Sequence, residues 1–349
     1  MKALFIFNLS ILFTLMSFSV SAQSLTAVVC DEKTKEPISD VVIYLDGTSY
    51  AVTTNVSGKF ELRTNSQINT RLVVRHLGYE NRIIENPFST LPDTIYIKEV
   101  SNELGEVTVS AKKPKYSREQ RMDAFSKQFL GTTTAGKQCN ILNKDDINLV
   151  YDSGTNTLIA SANVPIQIEN KYLGYMINFD LKEFRILYKY DTLQDSEIIN
   201  TYFIGACFFA DLNNPNERSI QNNRKMVYDG SVYNFIKHLY NNSLDASDFR
   251  LRLNGRRLLQ RDCFALVDSL SMKLVKVNQR IQNIRQFDFT MSTTLEVSHK
   301  GENSHIFFRT NEFWIDSTRI VSPIDKIVFY GSMGDQRLGD LLPLDYTPY

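Results

Sequence analysis

Glycine, proline and tryptophan are scarce in this chain. Its 349 residues include only 15 glycines, nine prolines and one tryptophan, which excludes a collagen-like or low-complexity chain. The 39 basic and 39 acidic residues cancel, which argues against a strongly cationic nucleic-acid-binding protein, so we expect no nucleic-acid partner. What is abundant is apolar and aromatic: 43% of residues are hydrophobic, including 22 phenylalanines and 17 tyrosines. This composition supports a real core and favours β-strands.

Cysteine and histidine are also scarce. Cys30, Cys139, Cys207 and Cys263 are widely separated, and no histidine stands at zinc-finger spacing from them. One interpretation takes them as buried apolar residues, and the other pairs them in disulfides. The sequence has no G-x-S-x-G, P-loop or H-E-x-x-H motif, so we name no catalytic residue and no cofactor. Enzymatic activity is left open, with a non-enzymatic protein favoured.

The one long hydrophobic run lies at the N-terminus. Lys2 precedes an apolar stretch over residues 3–20, which ends in Val20-Ser21-Ala22. A charged start, an apolar middle and small residues at the end are typical of a signal peptide, here residues 1–22; an uncleaved membrane anchor is the alternative. No later run approaches about 18 apolar residues, so we expect no spanning helix in the mature chain. We expect an exported protein, periplasmic or associated with the outer membrane.

Residues 23–98 show an alternating apolar pattern that is broken repeatedly by turn residues. The pattern predicts a small antiparallel β-sandwich of seven short strands. Residues 55–58 (Asn-Val-Ser-Gly) predict a hairpin turn between two of them. The predicted strands cover residues 25–30, 41–45, 50–54, 59–63, 70–76, 82–84 and 94–98.

Three blocks of this segment resemble a known family. They are residues 28–48, where Val-Val-Cys-Asp is followed by a polar turn, Pro37 and a second strand; residues 54–62; and the Gly-Tyr block at 76–80. Their order and spacing resemble the carboxypeptidase regulatory-like domain. The resemblance implies a transthyretin-like β-sandwich that is not itself catalytic. In that family it accompanies a zinc peptidase domain, whose histidine and glutamate pattern is absent here.

Residues 104–111 (Leu-Gly-Glu-Val-Thr-Val-Ser-Ala) extend the resemblance. They are similar to the segment that follows this sandwich in TonB-linked outer-membrane receptors of Bacteroidetes-type bacteria. The remaining chain is too short for the plug and 22-stranded barrel of those receptors. The resemblance therefore implies a short relative with a different second part.

The second part again has a β pattern, with two helix signals. We predict a basic linker at residues 99–116 and a larger antiparallel β-rich α+β domain with about two helices at residues 117–349. Ser117 and Gln120 form a capping-box pattern before an apolar helical stripe, and Ser231 precedes another. The expected fold class is thus mainly β.

Two groups of side chains could bind ligands. His299 and His305 flank a predicted hairpin turn at residues 300–303, which would place them opposite each other as a surface metal pair; a solvated hairpin tip is the alternative. An arginine cluster could bind a sulfate, a phosphate or an acidic glycan, or form a charged sheet edge that resists aggregation. The cluster residues are Arg250, Arg252, Arg256 and Arg257.

These observations favour an exported, non-enzymatic cell-envelope protein. In this hypothesis the sandwich serves binding or scaffolding, and the partner is an envelope protein or a glycan. A peptide or glycan hydrolase with its site in the C-terminal domain is the second hypothesis. A small outer-membrane β-barrel following the linker is the third.

Overall fold

The computed structural model describes residues 23–65, 68, 70–100, 114–212, 214–270, 272–283 and 294–348. The predicted signal peptide, most of the predicted linker and the TonB-receptor-like segment lie outside the described residues. The chain divides into two units, residues 1–103 and 104–349. Over the described part of the chain, no helix is both long enough and apolar enough to cross a membrane.

The first unit is a two-sheet β-sandwich with one helical turn. A three-stranded sheet has the order β4-β1-β7, and a four-stranded sheet has the order β3-β2-β5-β6. The elements are β1 (Gln23–Asp31), β2 (Val42–Leu45), β3 (Ala51–Thr53), β4 (Lys59–Thr64), β5 (Leu72–Arg75), β6 (Arg82–Ile84), α1 (Pro87–Thr90) and β7 (Thr94–Ile97).

The core of this unit follows from the alternation of its strands. Leu25, Ala27 and Val29 of β1 are buried and face Ile43 and Leu45 of β2, so both inner sheet faces contribute to one apolar cluster. One pairing differs from the antiparallel expectation, because β7 runs parallel to β1. The chain crosses from β6 in one sheet to β7 in the other through α1.

The three sequence blocks of the family resemblance meet at one end of the sandwich. The Asp31 carboxylate accepts hydrogen bonds from the Lys33 and Thr34 backbone N–H groups at 2.7 Å, and from the Tyr79 hydroxyl at 3.0 Å. A Cβ on Gly58 would lie 2.6 Å from the Val29 carbonyl oxygen, and the residue has a φ of +69°, so only glycine fits. These blocks therefore maintain the scaffold.

The predicted hairpin at residues 55–58 is wrong in one respect. The turn forms, with the Gly58 N–H donating to the Asn55 carbonyl at 2.9 Å. However, β3 pairs with β2 and β4 pairs with β1, so the turn connects the two sheets and joins no paired strands. Turn chemistry is local, whereas the choice of strand partner depends on the whole sandwich.

Tyr79→Phe is expected to weaken the hydrogen-exchange protection of β1 at neutral pH, because it removes one hydrogen bond to a charged acceptor. The pKa of Asp31 is lowered, mainly by the Thr34 backbone N–H, with Tyr79 contributing. The stabilisation by the ionised Asp31 carboxylate is complete above the pKa of Asp31 in the unfolded chain, near 3.8. It is lost as the pH falls through the lower pKa of Asp31 in the folded chain.

The difference between Tyr79→Phe and the unaltered chain should therefore shrink in acid. Hydrogen exchange of the β1 amides at several pH values measures it. Tyr96→Phe, which removes an exposed tyrosine hydroxyl on β7, is the matched control. Equal protection of β1 in both variants would contradict the assignment.

The second unit contains two apolar cores. The first is built on a six-stranded sheet in which the long strand β12 pairs with β13 on one side and with β11 and β10 on the other. Its elements are α2 (Arg118–Leu130), α3 (Thr134–Lys137), β8 (Cys139–Ile141), β9 (Ile147–Asp152), β10 (Thr157–Ala162), β11 (Ile166–Asn170), β12 (Tyr175–Tyr188) and β13 (Ile198–Asp211).

Aromatic packing joins α2 to this sheet. The Phe129 ring lies 5.1 Å from that of Phe179 and 5.4 Å from that of Phe203, while Phe125 lies 4.7 Å from Phe184. Edge-to-face contacts at these distances are the favoured geometry of aromatic pairs. One face of the sheet is therefore covered by α2, and the other carries the exposed side chains.

The second core lies between a five-stranded sheet, β15-β14-β18-β19-β22, and a four-stranded sheet, β16-β17-β20-β21, with α5 packed against them. The elements are α4 (Arg218–Asp229), α5 (Val232–Tyr240), β14 (Phe249–Leu253), β15 (Arg256–Leu258), α6 (Gln260–Cys263), β16 (Phe264–Ser269), β17 (Met272–Val277), β18 (Leu295–His299), β19 (Glu302–Phe308), β20 (Glu312–Asp316), β21 (Val321–Ser322) and β22 (Ile327–Gly331).

Helix α4 connects the two cores. Its buried Arg224 donates to the carbonyls of Leu173 and Gly174 at 2.7 and 3.1 Å and to the Asp211 carboxylate at 2.7 Å. At the other end of the helix, Asp229 accepts a bond from Lys300, in the β18–β19 hairpin, at 2.7 Å. One helix thus contacts elements of both cores.

The C-terminal segment, residues 337–341, returns to the first core. The buried Asn170 amide donates to the Gly339 carbonyl at 2.9 Å, and the Thr133 hydroxyl donates to the Asp340 carboxylate at 2.8 Å. Burial raises the pKa of Asp340. Leu338 is fully buried in the apolar cluster of the first core. Hydrogen bonds therefore join residues that are about 170 to 210 positions apart in the sequence.

The expected mainly β class is confirmed, with an N-terminal β domain followed by a β-rich part. The second unit has three helices of nine or more residues among its described residues, rather than about two; α4 is the one that the sequence pattern missed. The four cysteines are free thiols, of which Cys139 is half-buried and the others are buried. Burial raises the pKa of Cys139 and of Cys263 to about 12, so neither thiol is activated.

Candidate binding surface

The register of the five-stranded sheet places five polar side chains in one row. Residues directly opposite each other on neighbouring strands point to the same face. Arg257 lies opposite Arg252, Arg252 opposite Glu296, Glu296 opposite His305, and His305 opposite Tyr330. With strands about 4.8 Å apart, the row extends about 19 Å across the sheet. We call these five residues the polar row.

A second line of polar side chains runs beside the polar row. Arg250 lies opposite Ser298, which lies opposite Asn303, and each is two residues from a member of the polar row on the same strand. These side chains point to the same face, since the side chains of a strand alternate. The face therefore presents hydrogen-bonding groups over two adjacent lines.

The arginines of this face are held to different degrees. Arg252 lies 3.5 Å from the Glu296 carboxylate and 3.4 Å from the Ser298 hydroxyl, with 42% of its side chain exposed. Arg250 donates to the backbone carbonyls of Ser247 and Phe249. Arg257 is exposed at the edge. Three guanidinium groups accompany one carboxylate in the two lines, so the local charge is positive.

His305 is oriented within the polar row by a side-chain contact. Its Nδ1 lies 3.1 Å from the hydroxyl of the buried Thr294. The ring is half-buried between Glu296 and Tyr330, which are its opposite neighbours. An imidazole and a phenol ring side by side offer flat apolar area together with polar atoms.

The structure separates the two histidines that the sequence analysis paired. The hairpin forms with a two-residue loop, Lys300 and Gly301, both with positive φ, and His299 lies opposite Glu302. His305 lies opposite Glu296, which is three residues from His299 on the same strand. Because side chains alternate between the two faces along a strand, the two imidazoles point to opposite faces of the sheet. They do not lie opposite each other, so one ion cannot bind both.

His299 belongs instead to the core side of the sheet. Its ring lies 4.9 Å from the Phe249 ring, and burial lowers its pKa, with the neighbouring Lys300 adding to the effect. No group of three potential metal ligands (His, Cys, Asp or Glu) occurs over the described residues.

The arginine cluster is divided in the same way. Arg256 lies opposite Leu253, on the face that carries the inward-pointing Leu251, whereas Arg257 lies opposite Arg252. The structure thus joins Arg250, Arg252 and Arg257 with His305 and leaves Arg256 on the other side. Glu296 and Tyr330 complete the row; the sequence pattern did not predict their place in it, since the register of distant strands is not visible in a sequence.

The first unit has a separate groove between its edge strands β6 and β7. It has a volume of about 480 Å³ and combines exposed apolar groups, Ile83 and Tyr96, with the charged residues Glu32, Arg82 and Glu85. The Lys35 ammonium lies 4.2 Å from the centre of the Tyr96 ring, which places a cation beside the groove. This groove is the second candidate for a contact surface.

Comparison with known proteins identifies part of the chain. Residues 25–109 match the family model described as CarboxypepD_reg-like domain. The match covers the described β-sandwich, so the resemblance to the carboxypeptidase regulatory-like domain is confirmed for this segment. No curated protein matches the chain.

Proposed function

We propose that this chain is an exported, non-enzymatic binding protein of the cell envelope that binds an acidic glycan through the polar row. The observation that carries the proposal is the alignment of Arg257, Arg252, Glu296, His305 and Tyr330 on one sheet face. Guanidinium groups bind carboxylate and sulfate groups bidentately. Rings beside them can pack on sugar faces, and Glu296 can accept bonds from sugar hydroxyls.

The shape of the surface favours an extended polymer. The polar row is about 19 Å long and crosses five strands, whereas small ligands are usually held in concave pockets. A polysaccharide with a repeating acidic group can meet Arg252 and Arg257 with successive residues. The positive local charge would also speed its association.

Sequence patterns support the envelope location. Residues 1–22 have the layout of a signal peptide, and residues 104–111 resemble a segment of TonB-linked receptors. In this proposal the sandwich is an interaction module that uses the groove between β6 and β7. A protein that begins at Gln23 in the periplasmic or outer-membrane fraction, as read by intact mass, would support export; a cytoplasmic chain that still begins at Met1 would contradict it.

Binding of uronic-acid and sulfated polysaccharides by the chain from residue 23 onward tests the site. Calorimetry should show binding that weakens with salt, and no binding of a matched neutral polysaccharide. Arg252→Gln and Arg257→Gln should each weaken binding about tenfold, because each removes a charge-assisted bond worth about 1.4 kcal/mol. Arg256→Gln is the matched control, with the same charge in the same hairpin on the other face, and should change affinity less than about twofold.

The outcomes separate the alternatives. Equal losses for Arg256→Gln and Arg257→Gln would mean general charge attraction and would reject the site. Absence of binding to every acidic polysaccharide would reject the proposed ligand. Shortened polysaccharide chains after incubation would identify a glycan hydrolase, which is the second functional hypothesis.

A further inference from the structure

The single tryptophan of the chain, Trp314, lies on the outer face of the four-stranded sheet β16-β17-β20-β21. Its neighbours on β20, Phe313 and Ile315, are buried in the second core, together with Val275 of β17. Because successive side chains of a strand alternate between the two faces, Trp314 and Leu274 point away from this core. The tryptophan ring therefore belongs to the surface of the sheet, where it is half-buried.

The register of the sheet aligns Trp314 with three side chains on the neighbouring strands. Val267 lies opposite Leu274, which lies opposite Trp314, and Trp314 lies opposite Ser322. With strands about 4.8 Å apart, these four residues extend about 14 Å across the sheet. Val267 is 45% exposed, Ser322 is exposed and Leu274 is half-buried. We call these four residues the tryptophan row.

Two carboxylates flank Trp314 on its own strand. Glu312 and Asp316 lie two residues before and after it, so both point to the outer face, with Cα atoms about 7 Å from that of Trp314. The Asp316 carboxylate is held in place, because its Oδ1 accepts bonds from the Thr318 N–H at 2.8 Å and from the Thr318 hydroxyl at 2.7 Å. An aromatic ring between two carboxylates is suited to a cationic ligand.

The residues opposite these carboxylates differ in charge. Lys276 lies opposite Glu312, whereas Met272 lies opposite Asp316. Arg319, in the loop that follows Asp316, has its guanidinium group 4.0 Å from the centre of a tyrosine ring on α5, and this tyrosine packs against the second core. Asp316 is therefore the better partner for a cation on the outer face. An acidic ligand would meet two carboxylates and one ammonium group along these strands and would be repelled.

We infer that the tryptophan row binds an amino-sugar polymer, with a sugar ring stacked on Trp314 and its ammonium group bonded to Asp316. An amino sugar combines a flat ring face of C–H groups with a cation at the ring edge. The indole ring packs on the first and attracts the second, and the carboxylate forms a charge-assisted bond with the cation. Glu312 and the Ser322 hydroxyl can bond the sugar hydroxyls on either side.

The shape of the row favours a sugar over a basic peptide. A lysine or arginine side chain would use the carboxylate, but it has no flat saturated ring to cover the apolar area of Val267, Leu274 and Trp314. The length of about 14 Å allows successive rings of a polymer to lie across the strands. The inference does not rest on the proposed acidic-glycan site, because the polar row lies on the five-stranded sheet.

Titration of the chain from residue 23 onward with a glucosamine hexamer, followed by tryptophan fluorescence, tests the inference. Because Trp314 is the single tryptophan, a change in emission reports the row directly. We expect a saturable change at mildly acidic pH, where the sugar amine is protonated. The N-acetylglucosamine hexamer has the same rings without the charge and should bind at least tenfold more weakly. Hexalysine has the charges without the rings and should leave the emission unchanged.

Three variants locate the site. Asp316→Asn should weaken binding about tenfold, because it removes the charge and keeps an oxygen acceptor for the loop. Asp268→Asn is the matched control: Asp268 follows Val267 on β16, points to the other face and pairs with Lys273 at 2.8 Å, so affinity should change less than about twofold. Trp314→Leu, measured by calorimetry, should weaken binding about tenfold through the lost ring contact.

Circular dichroism of the variants confirms that they fold. Absence of any change in emission would overturn the inference, and so would equal losses in Asp316→Asn and Asp268→Asn, which would mean general charge attraction. Equal binding of the N-acetylated hexamer would reject the ammonium contact. A response to hexalysine equal to that of the amino sugar would identify a basic peptide as the ligand and overturn the proposed sugar.

Discussion

Replacing Arg224 by methionine is expected to lower the free energy of unfolding of the second unit by about 3 kcal/mol. The guanidinium group is 6% exposed, bonds two backbone carbonyls and the Asp211 carboxylate, and stacks 3.7 Å from the centre of the Tyr175 ring. Methionine preserves most of the volume but supplies no donor. The Leu173 carbonyl would then lose its bond from Arg224 in a buried site, while the Gly174 carbonyl would keep only the bond from the Leu212 N–H.

The partner and the neighbour of Arg224 provide graded controls. Asp211 is half-exposed, so Asp211→Asn should cost only about 1 kcal/mol. Lys225 follows Arg224 on the same helix but is exposed and pairs with Asp229, so Lys225→Met should cost less than about 0.5 kcal/mol. Urea unfolding followed by circular dichroism measures all three. If Arg224→Met costs no more than Lys225→Met, the buried arginine does not hold α4 in place.

Gly339→Ala is expected to have an effect of similar size, about 3 kcal/mol, on the first core of the second unit. A Cβ at residue 339 would lie 2.5 Å from the Gly136 Cα and 2.6 Å from the Leu130 carbonyl oxygen. Both are backbone atoms, which cannot rotate away as a side chain can. The segment at residues 337–341 would therefore move off the first core, and the bond from Asn170 would be lost.

The single tryptophan makes this effect observable. Trp314 lies on β20, beside the second core, so its fluorescence reports that region, whereas circular dichroism reports all of the β-structure. In Gly339→Ala the circular-dichroism transition should begin at lower urea, while the Trp314 transition changes less. Gly154→Ala, in an exposed turn where a Cβ meets only a side-chain oxygen at 3.2 Å, should match the unaltered chain. Coincident, unshifted transitions in Gly339→Ala would show that the close contact is not required.

Local features of the fold could be predicted because their causes are local. The Ser117 hydroxyl accepts from the Gln120 N–H at 3.2 Å, and the Gln120 side chain accepts from the Ser117 N–H at 2.9 Å, which is the predicted capping box. The Ser231 hydroxyl caps α5 by accepting from the Asn234 N–H at 3.0 Å. Strand positions could be predicted from the alternation of apolar and polar residues. For β14, the predicted range of residues 249–253 is the range observed.

Features that depend on distant partners could not be predicted. Helix α4 has few apolar residues, and its position depends on Arg224 reaching carbonyls about 50 residues away. The polar row exists only because five strands align in one register. The same register places His299 and His305 on opposite faces of the sheet. The position of the turn at residues 300–301 could be predicted from its local sequence. The pairing of residues beyond the turn could not, because it depends on the completed sheet.

The position of the C-terminal segment has a consequence for biosynthesis. Asn170 and Thr133 are synthesised long before Gly339 and Asp340, with which they bond. The first core of the second unit is therefore incomplete until residues 337–341 leave the ribosome. A chain that stops before Arg337 keeps every strand but leaves the Asn170 amide and the surface beneath Leu338 uncovered. We expect such a truncated product to be removed by proteolysis rather than to persist as a shortened protein.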